Sequence, residues 1–140
     1  MALHISKKSE KNVMISLRLL LDTNVVIDFL KQTDNALDLL SLLLQHECLT
    51  SVIVKLELLK SPDITSDEES AINEFLQFVP IIPINTAIES ETIALSRFSK
   101  LKLPDAIIGA TAIVYDAEIV TFDPHFLKCQ YEKLHIWDSA

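Results

Sequence analysis

Apolar positions along the chain gather into short runs, separated by polar stretches rich in turn and capping residues. Residues 16–21, "SLRLLL", read as a buried strand that stops on Asp22, Thr23 and Asn24, and a short helix is expected over about Asn24 to Leu30. "NALDLLSLLLQH" has apolar residues on more than one helix face and predicts a packed helix; "CLTS" follows as a short strand. Ile53 to Lys60 predicts a third helix, stopped by Ser61-Pro62. "SDEES" from Ser66 carries the S-x-x-E capping-box pattern and three acids in a first turn, so a helix should run from there to about Phe78. "FVPIIPI" reads as a strand with prolines near its limits, as at a sheet edge. Asn85 can cap a long helix reaching Lys100, and Pro104 suits the first turn of the next, which extends through "DAIIGATAIVYDA". "EIVT" and "LHIW" are the last two strands. Strands alternating with helices predict one three-layer α/β domain, a mainly parallel sheet covered on both faces.

Composition narrows this picture without changing it. At 140 residues, 49% of them apolar, the chain suits one domain with a core of its own. Residues 1–13 are polar, lysine-rich and aperiodic, and are expected to form a mobile arm ahead of a domain spanning 14–140. Arg18 and Asp22 interrupt the first apolar stretch, which argues against a secretory leader, and no apolar run approaches the ~20 residues of a membrane span. Cys48 and Cys129 form no metal-type pair and no disulfide framework, so a reducing cytoplasm is the expected setting. The net charge of −8 makes the chain a poor candidate for tight non-specific binding to phosphate backbones, while leaving room for divalent cations, a local basic strip or a basic partner.

Why a buried strand should end on a carboxylate is the question the pattern raises. In open parallel sheets, ligands bind at the carboxyl ends of the strands. That rule selects few of the twenty acidic residues. Asp22 follows the first strand, Asp123 follows "EIVT" by two positions, and Asp105 lies in the first turn of the helix leading into that strand. Glu57 lies on the helix after "CLTS", flanked by Leu56, Leu58 and Leu59. Taken singly, Asp22 and Asp123 read as turn residues and Asp105 as a helix-start acid. Glu57 is harder to dismiss, because a carboxylate among leucines needs a partner. Gathered in one cleft, four carboxylates would repel one another and raise their pKa values. A hard divalent cation, Mg²⁺ or Mn²⁺, removes that conflict, and such an ion can activate water and stabilise a phosphoryl oxygen.

The segments "LLLDTNVVIDFL", "SVIVKLELL", "LPDAIIGATAI" and "IVTFDPHF", in this order and at this spacing, resemble the PIN-domain ribonucleases, and among them the toxins of the VapC type. "DTN" alone says little; the four together are specific. The resemblance runs from about Ser16 to the C-terminus and implies a sheet of about five strands ordered 3-2-1-4-5, with the first and fourth strands adjacent. It carries the family's acidic metal positions onto Asp22, Glu57, Asp105 and Asp123. It matches Asn24 and Thr121 to polar positions beside the metal that orient carboxylates or waters, and Ser51 to a small polar position ahead of Glu57. This chain departs from the family in reading Asp116-Ala117-Glu118 where Gly is common, and Phe122 where a basic residue is frequent.

Lys55 and Lys60 lie on the helix of Glu57, while Arg97, Lys100 and Lys102 precede Asp105. Singly each suits a solvated helix face; as a group they could hold RNA phosphates. His4, His46, His125 and His135 are scattered and suggest no general base. The expected function is therefore a Mg²⁺- or Mn²⁺-dependent endoribonuclease, the toxin of a toxin–antitoxin pair, homodimeric and held by a cognate antitoxin. A housekeeping RNA-processing nuclease, and less favourably a non-catalytic PIN-like interaction module, are the alternatives. A phosphoacceptor receiver domain is disfavoured, because paired acids after the first strand and a late Lys-Pro step are both missing.

Overall fold

The computed structural model describes residues 17–32 and 36–138. The expected arm over 1–13 lies outside them. Strand β1 (Arg18–Leu21) is central: Leu19, Leu20 and Leu21 are all fully buried. Burial of consecutive residues means that both faces of the strand are covered, as in parallel sheets with helices above and below. Helix α1 (Thr23–Leu30) follows at once and turns Val25 and Val26 into the core. Then come α2 (Ala36–Gln45), β2 (Glu47–Ser51), α3 (Val52–Leu59) and α4 (Ser66–Leu76). The chain continues with β3 (Ile81–Ile82), α5 (Thr86–Phe98), α6 (Leu103–Val114), β4 (Glu118–Val120) and the short α7 (Pro124–Leu127).

All strand pairs are parallel, and the order is β3-β2-β1-β4. Leu20 of β1 stands opposite Leu49 of β2 and Ile119 of β4. The expected fifth strand is reduced to one parallel bridge, Ile119 to Ile136, in which Ile119 N donates to His135 O at 2.9 Å and Trp137 N to Ile119 O at 2.8 Å. It lies beside β4, the side on which the expected order 3-2-1-4-5 put it. The main core joins β1, β2 and β4 to Leu39, Leu42, Val54, Ile108 and Phe126; a smaller cluster of Leu49, Ile82, Ile88 and Ala110 fastens α5 and α6 to the β2–β3 side.

Two expectations shift in detail. The capping box of α4 uses Thr65 and Glu68, one residue before the predicted pair: Glu68 N donates to Thr65 Oγ1 and Thr65 N to Glu68 Oε1. "TSDEE" satisfies the pattern in either register, and backbone geometry decides between them. On α2 only Leu39 and Leu42 are buried, while Leu37, Leu40 and Leu44, three to four residues apart, form an exposed apolar face. Among the described residues no helix is long and apolar enough to cross a membrane.

Candidate active site

β1 and β4 run side by side, so their carboxyl ends deliver Asp22 and the segment Thr121–Asp123 to one place. Asp22 is still tied to the sheet, its N–H donating to Val120 O at 3.0 Å. It also caps α1: its extended backbone (φ −82°, ψ 163°) lets Oδ1 accept from Thr23 N at 2.8 Å. Its other oxygen, Oδ2, accepts from the hydroxyl of Thr121 at 2.7 Å. A turn residue would be exposed; Asp22 is only 4% exposed.

From Asp22 the network extends both ways. Thr23 Oγ1 donates to Glu57 Oε1 at 2.6 Å, so one threonine joins two carboxylates, with its N–H on Asp22 and its hydroxyl on Glu57. On the other side Asp123 N donates to Thr121 Oγ1 at 3.0 Å. Asp123 in turn caps α7, its Oδ1 accepting from His125 N at 2.9 Å and lying 2.9 Å from His125 Nδ1. A continuous path of hydrogen bonds therefore runs from Glu57 through Asp22 to Asp123 and His125. Asp105, held in the first turn of α6 beside Pro104, joins it through charge.

Protonation shows how these groups affect one another. Burial pushes the Asp22 carboxyl up from 3.8 to about 6; the hydrogen bonds from Thr121 and Thr23 pull it down, and the charges of Asp105 and Asp123 push it up again. Asp105 is raised by burial first, then by Asp123 and Glu57, with His125 and Lys102 opposing. Each of the four acidic residues is thus linked to at least two of the others, by charge or through a threonine. Among the described residues, however, no three Asp, Glu, His or Cys side chains converge closely enough to enclose an ion unaided. The fit of a hard cation rests instead on an oxygen-only donor set whose mutual repulsion such an ion would relieve.

The remaining expected residues divide. Asn24 Oδ1 accepts from Phe122 N at 3.2 Å, so Asn24 steadies the backbone ahead of Asp123. Ser51 is fully buried and caps α3, its Oγ accepting from Ile53 N at 3.0 Å; its visible role is to start the helix that carries Glu57. Of the five cations, Lys102 acts on Asp105 through charge. Lys60 follows Glu57 by three residues and shares its side of the helix, whereas Lys55, two residues before it, does not. Phe122 packs against the main core. Thr23 and His125 are the two members that sequence reasoning passed over. The signals for them were the middle letter of "DTN" and the i, i+2 spacing of "DPH" at a helix start. A cavity of about 240 Å³ lined by Ala112, Ile113, Asp116, Ala117, Lys133 and His135 contains none of these residues.

The model of the PIN domain family matches residues 19–130. No curated protein matches the chain. Among solved structures, a toxin–antitoxin complex from Klebsiella pneumoniae is 28% identical, covering 84% of this chain and 99% of that one with a TM-score of 0.67. VapBC2 from Rickettsia felis, bound to a DNA fragment from its promoter, is 23% identical over 87% of this chain and 100% of that one, TM-score 0.74. VapBC-1 from nontypeable Haemophilus influenzae is 21% identical over 87% and 98%, TM-score 0.72. The last two likenesses are of fold.

Proposed function

The chain belongs to the PIN domain family, and from that premise we propose that it is a metal-dependent endoribonuclease, the toxin of a toxin–antitoxin pair acting in the cytoplasm. The observation that carries the reading is the continuous network from Glu57 to Asp123, with Asp105 coupled to it by charge. A structural cap needs one carboxylate and a neutral neighbour; Asp22 and Asp123 after adjacent strands, with Asp105 and Glu57 on the helices beside them, are a group of carboxylates whose repulsion a cation would relieve.

Asp22, Asp105, Asp123 and Glu57 would hold Mg²⁺ or Mn²⁺. When bound, such an ion supplies Lewis acidity toward a phosphoryl oxygen and a more acidic water. The protein's own part is placement. Thr23 and Thr121 fix both oxygens of Asp22, and Thr23 also fixes one oxygen of Glu57. With its pKa near 6, Asp22 is ionised at neutral pH despite its burial. Lys102, beside Asp105, is the cation best placed for the substrate's phosphates; Arg97 and Lys100 on the same turn, and Lys60 on the side of the helix that carries Glu57, are additional candidates, and Lys55, on another side of that helix, is the weakest. In-line attack of water on phosphorus would leave a 5′-phosphate and a 3′-hydroxyl.

The partner reading draws on the toxin–antitoxin assemblies named for the similar structures. It also draws on α2, where Leu37 and Leu44 are each 79% exposed, an apolar face that a small protein inhibitor could cover. An inhibitor reaching the acids would do so with a basic side chain, Arg above all, competing with metal. A homodimer, implied by the resemblance, is checked by sedimentation of the purified protein. The test of the function is incubation with total RNA and Mg²⁺ or Mn²⁺, followed by mapping of new 5′ ends. Discrete 5′-phosphate ends are expected, absent in EDTA and absent with Asp22→Asn. Cleavage that persists in both controls would overturn the reading.

A further inference from the structure

The turn from α5 into α6 reads Arg97-Phe98-Ser99-Lys100-Leu101-Lys102-Leu103, with cations and apolar side chains interleaved, and ends two residues before Asp105. Phe98 is 59% exposed and Leu103 63%. Single exposed apolar residues are common and need no explanation. Phe98 differs in its support and in its company. Its ring rests on Tyr131, centroids 5.1 Å apart and planes at 54°, and Tyr131 is anchored by its hydroxyl donating to Glu91 Oε1 at 3.4 Å. The exposed ring is thus held outward by an aromatic backing. Around it Arg97, Lys100 and Lys102 are exposed, and their side chains make no hydrogen bond or ion pair with another described residue. In a protein of net charge −8 this is a local concentration of positive charge, of which Lys102 also acts on Asp105.

A supported aromatic face with cations on either side fits a nucleobase and its phosphates. The base must be unpaired and unstacked, because in a duplex its faces are covered by its neighbours. A second copy of this chain fits less well. Around a two-fold axis the same patch meets itself, bringing the three cations of one copy against those of the other. We propose that Phe98 is a base-stacking residue for single-stranded RNA, with Arg97, Lys100 and Lys102 on the adjoining phosphates, so that this turn seats an unpaired nucleotide beside the bond presented to the acidic site. The proposal rests on the ribonuclease reading.

The test uses the full chain carrying Asp22→Asn, so that RNA stays intact, and a short mixed-sequence oligoribonucleotide offered single-stranded or annealed to its complement. Phe98→Ala and Phe98→Leu should weaken single-strand binding roughly tenfold, the order of one lost base stack, and leave duplex binding and sedimentation unchanged. Phe98→Trp should keep the affinity, and its exposed indole should be quenched by the single strand and not by the duplex; the native Trp137 is buried and gives a steady background. Retained affinity in Phe98→Trp also shows that losses in the other variants are not misfolding. Unchanged single-strand binding by Phe98→Ala and Phe98→Leu would overturn the proposal. So would an equal loss for duplex, or altered sedimentation with RNA binding intact, which would assign the face to a second copy. If the protein without any substitution cuts RNA and Phe98 is indifferent, stacking alone is rejected; if it neither binds nor cuts RNA, the ribonuclease reading falls as well.

Discussion

The two ends of β1 handle charge in opposite ways. At its start Arg18 faces an opposite charge in the open: its Nε lies 3.1 Å from Glu47 Oε2 on the neighbouring strand, and Nη1 donates to Tyr115 O at 2.7 Å. At its end Asp22 is buried, and that burial, with smaller contributions from the charges of Asp105 and Asp123, raises its pKa. The first arrangement costs the fold little and contributes little, because water screens both partners. The second costs stability, and Thr23 and Thr121 only partly offset it. A fold that could have ended this strand on a neutral residue instead buries a carboxylate, and that cost supports the proposed cation site.

The largest expected effect lies at the acidic end and is chemical. Asp105→Asn should lower RNA cleavage by about a hundredfold or more, the order seen when one group stabilising transition-state charge is lost, with the fold intact by circular dichroism. Its counterpart Arg18→Met should cut RNA normally. Equal losses from the two would erase the contrast between the ends.

Next in size is a stability gain. Because the Asp22 pKa rises from 3.8 in the unfolded chain to about 6 in the fold, at ~1.4 kcal/mol per pH unit its ionisation costs up to roughly 3 kcal/mol. Within that window the folded protein binds more protons than the unfolded chain, so stability falls as pH rises from about 4 to about 6 and stays lower above it. Asn cannot ionise. Asp22→Asn should therefore melt higher than the unmodified protein in EDTA at neutral pH, and the advantage should vanish near pH 4; a variant that melts lower at every pH would show the carboxylate to be structural.

Thr121→Val sharpens the same point from the other side. It removes the donor to Asp22 Oδ2 and the acceptor for Asp123 N. About 2 kcal/mol should be lost where Asp22 is charged, and less in acid, measured by denaturant unfolding at both pH values. A pH-independent loss would place the effect in the loop alone. The smallest effect belongs to Arg18→Met, less than about 1 kcal/mol and smaller still in high salt.

Much of this was legible in the sequence because it is local. The buried strand before Asp22, the Asn85 cap and the Pro104 helix start each follow from a few adjacent residues. Asp22, Asp105, Asp123 and Glu57 could be singled out because strand ends in a parallel sheet share one edge. What was hidden depends on side chains meeting across the fold. A helix-start threonine gives no sign that its hydroxyl reaches Glu57, 34 positions away, and His125 looks like one scattered histidine until α7 turns it onto Asp123. "LHIW" has strand composition, yet only Ile136 forms a bridge to β4. The leucines of α2 show helical spacing on two faces, and composition alone cannot say that one of them stays outside.

In the proposed site Asp22, at the end of β1, joins Glu57, Asp105 and Asp123 in holding one divalent cation. Melting temperatures of the unmodified protein and Asp22→Asn, titrated with Mn²⁺ at neutral pH, test it directly, since only a ligand bound to the folded state raises stability. The unmodified protein should start lower in EDTA and climb with Mn²⁺ until it meets or passes the variant, which should barely move. Parallel curves, or an unmodified protein that does not respond to the ion, would contradict the site.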